Sequence, residues 1–497
     1  MILVAILISL LLRIEWNGFN RGTRLIVFLL LYCALLFARG TPCLDLGFVI
    51  GIYNGLWMIT AGKLLIMLLT LGGAVLLLDK NSEKSTIALI SLLGGLSVMN
   101  SADLISLILG IELQSHALYV LSTESKEWES SRSSGLKYFL LGSLSSGFIL
   151  LGSSLIYGFT GLTHIDSTAA AIDSLNPVCL ALTLLGMLVK IAAAPFHNWA
   201  PDVYDGVPTQ VTAWIAVFPK ISIIYKMFTL ILLWGTESLI NLLLIFSTLS
   251  MIVGSLLGLT QYRVKRLLAY SSVTQIGYVL LGIIGHDSSA VSFYIIQYSL
   301  TLVNLFLIIL SIDKLSGISS IETISQIRKF RTNWLLGLSL TLSLFSLAGI
   351  PPFIGFIAKF YIFQISLNQG YYLITLIACV TSVIACAYYL KIIQVVFFDR
   401  EADTDNSSLN SQLIPEGNPP LSAGDWESDL NLHHHIETNS ASLESPEVAH
   451  RNHPTLPSWI KPSGFSEQPT AIQPPLNWVP SCWIGTMTWA IIWWPLI

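Results

Sequence analysis

The chain alternates long apolar runs with short polar loops. Runs of spanning length fall near residues 1–13, 24–39, 56–78, 86–99, 102–122, 136–158, 177–195, 207–233, 239–259, 267–285, 289–312, 333–367, 372–398 and 481–497. A helix of about 20 apolar residues crosses the ~30 Å hydrocarbon layer of a bilayer. The pattern therefore predicts an all-α polytopic membrane protein with about 14 transmembrane helices. Two runs are interrupted. The seventh reaches Pro195 five residues after Lys190; the twelfth is cut by Gly349-Ile350-Pro351-Pro352 and followed by Lys359. Proline removes a helix hydrogen bond and clashes with the preceding turn, so both spans are expected to break there. The two breaks lie five spans apart, and an odd offset reverses direction in the membrane. Matching broken segments of opposed topology predict two inverted five-helix repeats, spans 4–8 and spans 9–13. The expected layout is 1–85 for three N-terminal helices, 86–235 and 236–400 for the repeats, 401–480 for an insert, and 481–497 for a last helix or anchor.

Charge placement orients this scheme. Loops after odd-numbered spans, the long one near the C-terminus excluded, carry Arg13, Arg21, Arg24, Lys80, Lys84, Lys126, Arg132, Lys137, Arg263, Lys265, Arg266, Lys314, Arg328, Lys329 and Arg331; loops after even-numbered spans carry Arg39. Positive loops stay on the side of synthesis, so both termini are expected on the opposite, outward side. Met1–Leu12 is apolar with no basic stretch before it and reads as a first span, not a transit peptide. That favours synthesis inside the compartment whose membrane the chain enters.

Composition agrees. The 497 residues are 54% hydrophobic and 11% charged, where soluble domains carry about 25% charge. The insert 401–480 differs: eleven acidic residues against two basic, and 11 of the 20 prolines, predict a disordered segment on the basic-loop side. The six cysteines show no paired spacing and read as packing residues.

Removing loop charges leaves Lys63, Glu112, Lys190, Lys220, Lys226 and Lys359 inside spans. A lysine at bilayer depth costs about 2.5–3.5 kcal/mol on insertion scales, so such groups mark ion paths by default. Glu112 lies mid-span and is expected to pair with Lys190, directly or through one water. Lys220 and Lys226 are six residues apart, about 240° around a helix, and cannot share a face. Lys226 and Lys63 lie near span ends and read as lysines that snorkel to the interface. Burial favours the neutral amine and a nearby carboxylate the ammonium, so a lysine with a movable partner exchanges protons near neutral pH. That chemistry requires no metal.

Other signals carry less. His197-Asn-Trp-Ala-Pro-Asp202 fits the H-x4-D pattern of membrane acyltransferases, but two fixed positions occur by chance. His433-His434-His435 reads as a solvated tract. No Gly-rich nucleotide loop follows a strand, no iron–sulfur cysteine set is present, and nothing favours nucleic acid.

Five ordered motifs resemble the antiporter-like subunit 2 family of respiratory NADH dehydrogenase (complex I): Gly110-Ile-Glu112-Leu-Gln-Ser-His-Ala-Leu-Tyr119, Leu136-Lys-Tyr-Phe-Leu-Leu-Gly-Ser-Leu-Ser-Ser-Gly147, Val189-Lys190 through Pro208, Val264-Lys-Arg-Leu-Leu-Ala-Tyr270, and Ala348-Gly-Ile-Pro-Pro-Phe through Lys359. The resemblance covers roughly 56–400. It implies a proton-translocating membrane-arm subunit with no cofactor of its own; NADH, FMN, iron–sulfur clusters and ubiquinone would be bound elsewhere in the complex. By motif position, Glu112 and Lys190 would be a helix-five/helix-seven pair, Lys220 the bridging lysine and Lys359 the lysine near one exit. Partners would be neighbouring antiporter-like subunits and lipid, in the mitochondrial inner membrane. The 401–480 insert departs from the family pattern. An Mrp-type cation/proton antiporter shares the lysine–glutamate plan, and a scaffold that no longer pumps is the third reading.

Overall fold

A computed structural model describes residues 49–53, 55–77, 82–124, 129–171, 176–316 and 322–398, with 485 and 488. The expected spans 1–13 and 24–39 and the insert fall outside the described residues, as does all but two residues of 481–497. Among the described residues from 49 to 398, the regular elements are helices apart from one hairpin. Strands β1 (Val49–Ile52) and β2 (Trp57–Thr60) pair antiparallel. Strand β2 occupies what the hydropathy pattern assigns to the start of the third span, and β1 precedes it. Ser101 pairs with Trp57, and the Leu56 carbonyl accepts from Ala102, so the extended backbone finds partners there.

Fourteen α-helices follow among the described residues. They are α1 (Ala61–Leu77), α2 (Ser82–Asn100), α3 (Leu104–Thr123), α4 (Glu129–Thr160), α5 (Ile165–Ala170), α6 (Pro177–Ile191) and α7 (Trp199–Gly206). Then come α8 (Thr209–Trp234), α9 (Glu237–Leu259), α10 (Val264–Ile284), α11 (Ser288–Ser316), α12 (Trp334–Ala348), α13 (Ile354–Asn368) and α14 (Tyr372–Phe397). Seven of them are long and apolar enough to cross a membrane, and α6, α12 and α13 are shorter apolar helices. The seventh expected span becomes α6 and the start of a break, with α7 following beyond Pro195; the twelfth becomes α12, a break and α13. Each first half ends on a left-handed residue, Ala192 (φ 63°) and Gly349 (φ 82°).

One short motif recurs on two sides of the bundle. Asp103, capping α3, bridges antiparallel to His164, the Leu104 N–H donates to Thr163 and the Ile165 N–H to Ala102. Arg263, capping α10, bridges to Thr323 in the same way, with Val264 N–H donating to Glu322 and Ile324 N–H to Tyr262. The antiparallel helix pairs α2–α3 and α9–α10 approach closely in the same way. A Cβ on Gly94 would meet the Gln114 nitrogen at 2.5 Å, and one on Gly254 the Thr274 nitrogen at 2.7 Å. Small residues permit such backbone approach where lipid supplies no hydrophobic drive between helices. The innermost helices are α8, α10 and α11, buried around most of their circumference.

The basic residues assigned to one face meet at one end of the bundle. Asp202 on α7 holds Lys137 Nζ at 2.6 Å and Arg266 at 3.2 Å, while Asp205 holds Arg263 at 2.7 Å and Arg266 Nε at 3.1 Å. Lys265 Nζ donates to the Val207 carbonyl at 2.8 Å. The half-helix α7 is thereby tied to the ends of α4 and α10.

Candidate functional site

Helix α6 starts on Asn176, whose side chain accepts from the Val178 N–H at 3.1 Å, with Pro177 in the first turn, where it costs no hydrogen bond. It stops two residues after Lys190 because Ala192 turns left-handed. The Val189 carbonyl, which accepts from the Ala192 N–H in the last turn, also accepts from Trp199 Nε1 at 2.9 Å, so α7 is tied to the end of α6. Lys190 Nζ donates to Ser115 Oγ on α3 at 2.8 Å and to Ser146 Oγ on α4 at 3.0 Å. A cavity of about 20 Å³ beside it, bordered by Gln114, Ser115 and Trp199, has room for about one water.

Glu112 lies close enough to act on the Lys190 charge, but of the two expected forms of pairing, direct or through one water, the direct contact is not made. Three residues before Ser115, its carboxylate turns to the half-exposed flank of α3, where His116 Nε2 stands 3.7 Å away. Hydroxyls occupy the position that the sequence reading gives to the carboxylate. They satisfy the ammonium without placing a second full charge in the interior.

Lys220 follows Pro219 in the middle of α8 and is 2% exposed. Its Nζ donates to Ser272 Oγ on α10 at 2.9 Å and stands 5.2 Å from the centre of the Tyr204 ring on α7. Lys359, on α13, donates to the carbonyls of Leu347 at 3.0 Å and Ala348 at 2.8 Å, and its Nζ stands 5.2 Å from the Tyr278 ring. Those carbonyls are orphans at the C-terminus of α12, where the helix dipole favours a cation. The second break therefore creates the acceptor for its own lysine.

Helix α10 joins these two lysines. Ser272 takes Lys220; one turn on, Gln275 Nε2 donates to the same Leu347 carbonyl that Lys359 uses, at 3.2 Å, and Tyr294 donates to Gln275 Oε1. On the other side, Gln114, next to Ser115, exchanges hydrogen bonds with Ser222 on α8 at 3.0 and 3.2 Å. A polar line thus crosses α6, α3, α8, α10 and α13. Sequence reasoning found its lysines and missed its neutral members, Ser115, Ser146, Ser272 and Gln275. The available signal was an amide in the middle of two apolar runs, Gln114 and Gln275.

Lys226 corrects the sequence reading. It does not snorkel to the interface: it is 3% exposed, and its Nζ donates to the Ser101 carbonyl at 2.5 Å. The loop 100–104, fixed between 56–58 and 163–165, lies beside α8 at Lys226, about two turns before Trp234, and takes up the lysine's hydrogen bond. Lys63 likewise donates inward, to the Met58 carbonyl at 2.9 Å. Among the described residues no group of three or more His, Cys, Asp or Glu side chains is arranged to hold a metal.

Residues 101–385 match the family model described as NADH:quinone oxidoreductase/Mrp antiporter, TM. The NADH-ubiquinone oxidoreductase chain 2 of Rhizopus oryzae is 42% identical over 80% of this chain and 84% of its own length. The chain belongs to the NADH-ubiquinone oxidoreductase chain 2 family. A bacterial relative, the NADH-quinone oxidoreductase subunit N of Pelagibacter ubique, is 39% identical over 67% of this chain and 72% of its own. Among solved structures, a chain of respiratory complex I from Thermus thermophilus aligns with TM-score 0.69 and 29% identity, over 80% of this chain and 90% of that one. A chain of the Mrp complex from a Dietzia species shares the fold, with TM-score 0.72 and 23% identity over 80% and 79%. As a chain 2 family member, the protein is an antiporter-like membrane subunit of complex I.

Proposed function

We propose that this chain translocates protons within respiratory complex I along the line Lys190, Lys220 and Lys359, with Glu112 setting the charge state at its first end. The observation that carries the reading is the arrangement itself: three lysines in apolar helices, each held by hydroxyls or carbonyls, with Ser272 and Gln275 of α10 linking Lys220 to Lys359 and the Gln114–Ser222 pair tying the helix of Ser115 to that of Lys220. Neutral partners leave each amine free to gain or lose a proton without breaking an ion pair, which in a low-dielectric interior would cost several kcal/mol. Energy would come from electron transfer between NADH and ubiquinone, bound with FMN and iron–sulfur clusters in other subunits. In this reading the chain works beside neighbouring antiporter-like subunits and lipid in the mitochondrial inner membrane, with both termini on the intermembrane-space side.

The layout is read as three N-terminal helices (1–85), two inverted repeats (86–235 and 236–400), an acidic insert (401–480) and a terminal helix or anchor. The recurring bridges, Asp103 with His164 and Arg263 with Thr323, support the repeats, as do the two left-handed breaks. The fold shared with an Mrp complex keeps cation/proton antiport as a second reading.

The test is the number of protons pumped per NADH oxidised by the intact complex in sealed vesicles. Lys190→Ala and Lys359→Ala are each expected to lower it with the complex still assembled. Unchanged ratios in both variants refute the assignment. Transport of Na⁺ without NADH oxidation would move it to the antiport reading.

A further inference from the structure

Lys226 is a buried cation that lies off the line from Lys190 to Lys359. We propose that Lys226, Lys63 and Asp166 form a side branch that carries protons between the Lys190 site and the end of the bundle closed by residues 100–104. The proposal deepens the proton-translocation reading and rests on it.

The branch begins at adjacent residues of α3. Ser115 accepts from Lys190, and Gln114 exchanges hydrogen bonds with Ser222; the small cavity beside Lys190 borders both. Ser222 and Lys226 are four residues apart on α8 and share a face, about 6 Å apart at their Cβ atoms. From Lys226 the branch runs outward through groups of increasing exposure. Lys226 is buried, Lys63 on α1 is half-buried, and Asp166 in the first turn of α5 is exposed. One loop gathers the three groups: Lys226 binds the Ser101 carbonyl, Ser101 pairs with Trp57 next to the Met58 carbonyl that Lys63 binds, and the Ile165 N–H, beside Asp166, donates to Ala102. Asp103, two residues beyond the Ser101 carbonyl that Lys226 binds, adds a buried carboxylate with one oxygen lacking a hydrogen-bond partner. His164, bridged to Asp103, precedes α5.

This arrangement suits transfer more than anchoring. A lysine needed only to pin a carbonyl would gain nothing from a second lysine nearby, since like charges in one site oppose each other. Two lysines sharing one external carboxylate favour a state in which one amine is neutral. One proton then leaves the Lys226 ammonium toward Asp166, by way of Lys63 or water. The resulting amine takes one proton from the Ser222 side. Charge and atoms balance with no other reactant.

The experiment uses the intact complex in sealed vesicles, reading protons pumped per NADH oxidised for Lys226→Arg, Asp166→Asn and Lys190→Ala. Arginine keeps the positive charge and the donors to Ser101 but does not give up its proton. Lys226→Arg is expected to lower the ratio as far as Lys190→Ala does, and Asp166→Asn to lower it as well. A wild-type ratio in Lys226→Arg beside an impaired Lys190→Ala overturns the branch alone and leaves Lys226 a structural pin. A wild-type ratio in Lys190→Ala overturns the underlying reading and the branch with it. Should Lys226→Arg fail to assemble, Asp166→Asn decides: its position is exposed, and an unchanged ratio there rejects the branch.

Discussion

Lys190 gives its hydrogen bond to Ser115 and not to Glu112, one turn earlier on the same helix. The carboxylate therefore acts on the lysine through space while the hydroxyls hold it in place. Glu112→Gln is expected to lower proton pumping without displacing Lys190. Ser115→Ala removes a hydrogen bond to a charged group, worth about 1.5–3 kcal/mol, and should do so more modestly because Ser146 remains. The double variant should be little worse than Glu112→Gln, since both act through one amine. Vesicle pumping assays on the three variants check this; additive losses would separate the two residues.

Lys359 satisfies two carbonyls at the end of α12, so its loss has a structural and a chemical part. Lys359→Ala leaves both acceptors bare, at about 1–3 kcal/mol for an unsatisfied buried group. It should reduce both the amount of assembled complex and pumping. Lys359→Arg retains donors to the carbonyls and is expected to recover assembly, on native gels, while pumping stays low. Recovery of pumping by arginine would show that position 359 needs only a fixed positive charge.

The close helix pairs make a stability prediction. Gly94→Ala and Gly254→Ala each place a methyl within 2.8 Å of a backbone nitrogen on the neighbouring helix, and such overpacking costs about 1–3 kcal/mol. Less assembled complex and a lower melting temperature are expected. Gly147→Ala, where a Cβ meets nothing within 4 Å, is the control and should match the parent.

The insert 401–480 holds eleven acidic residues and 11 of the 20 prolines and too few apolar residues to build a core. Replacing Glu401–Val479 by a short polar linker is expected to preserve NADH–ubiquinone activity. A correctly assembled complex without activity would show that the segment has a working partner.

The helices and both breaks were legible because their causes are local: apolar runs of spanning length, and Pro195 and Pro351-Pro352 next to a lysine. The partners of those lysines were not. Charge rules direct Lys190 to Glu112, yet which face of α3 turns inward is decided by packing against α2 and α4, and that choice brings Ser115 to the amine. Lys226 failed for a related reason. Its distance from the helix end allowed snorkelling, but nothing local announced that the Ser101 carbonyl comes to meet it. The hairpin at 49–60 escaped because its strands are held by pairing with each other and with Ser101.

The polar line also decides where electrical work is done. Lys190 is 13 residues from Pro177, and Lys220 is 14 residues from Trp234. Helices α6 and α8 run in opposite directions, so at 1.5 Å per residue both amines lie ~20 Å from the same membrane face. A proton passing between them moves parallel to the bilayer and crosses almost none of the voltage. The cost of about 2.3 kcal/mol per charge for each 100 mV then falls on the legs that join the line to the two aqueous faces. A rising membrane potential would oppose those legs and leave the sideways steps nearly untouched.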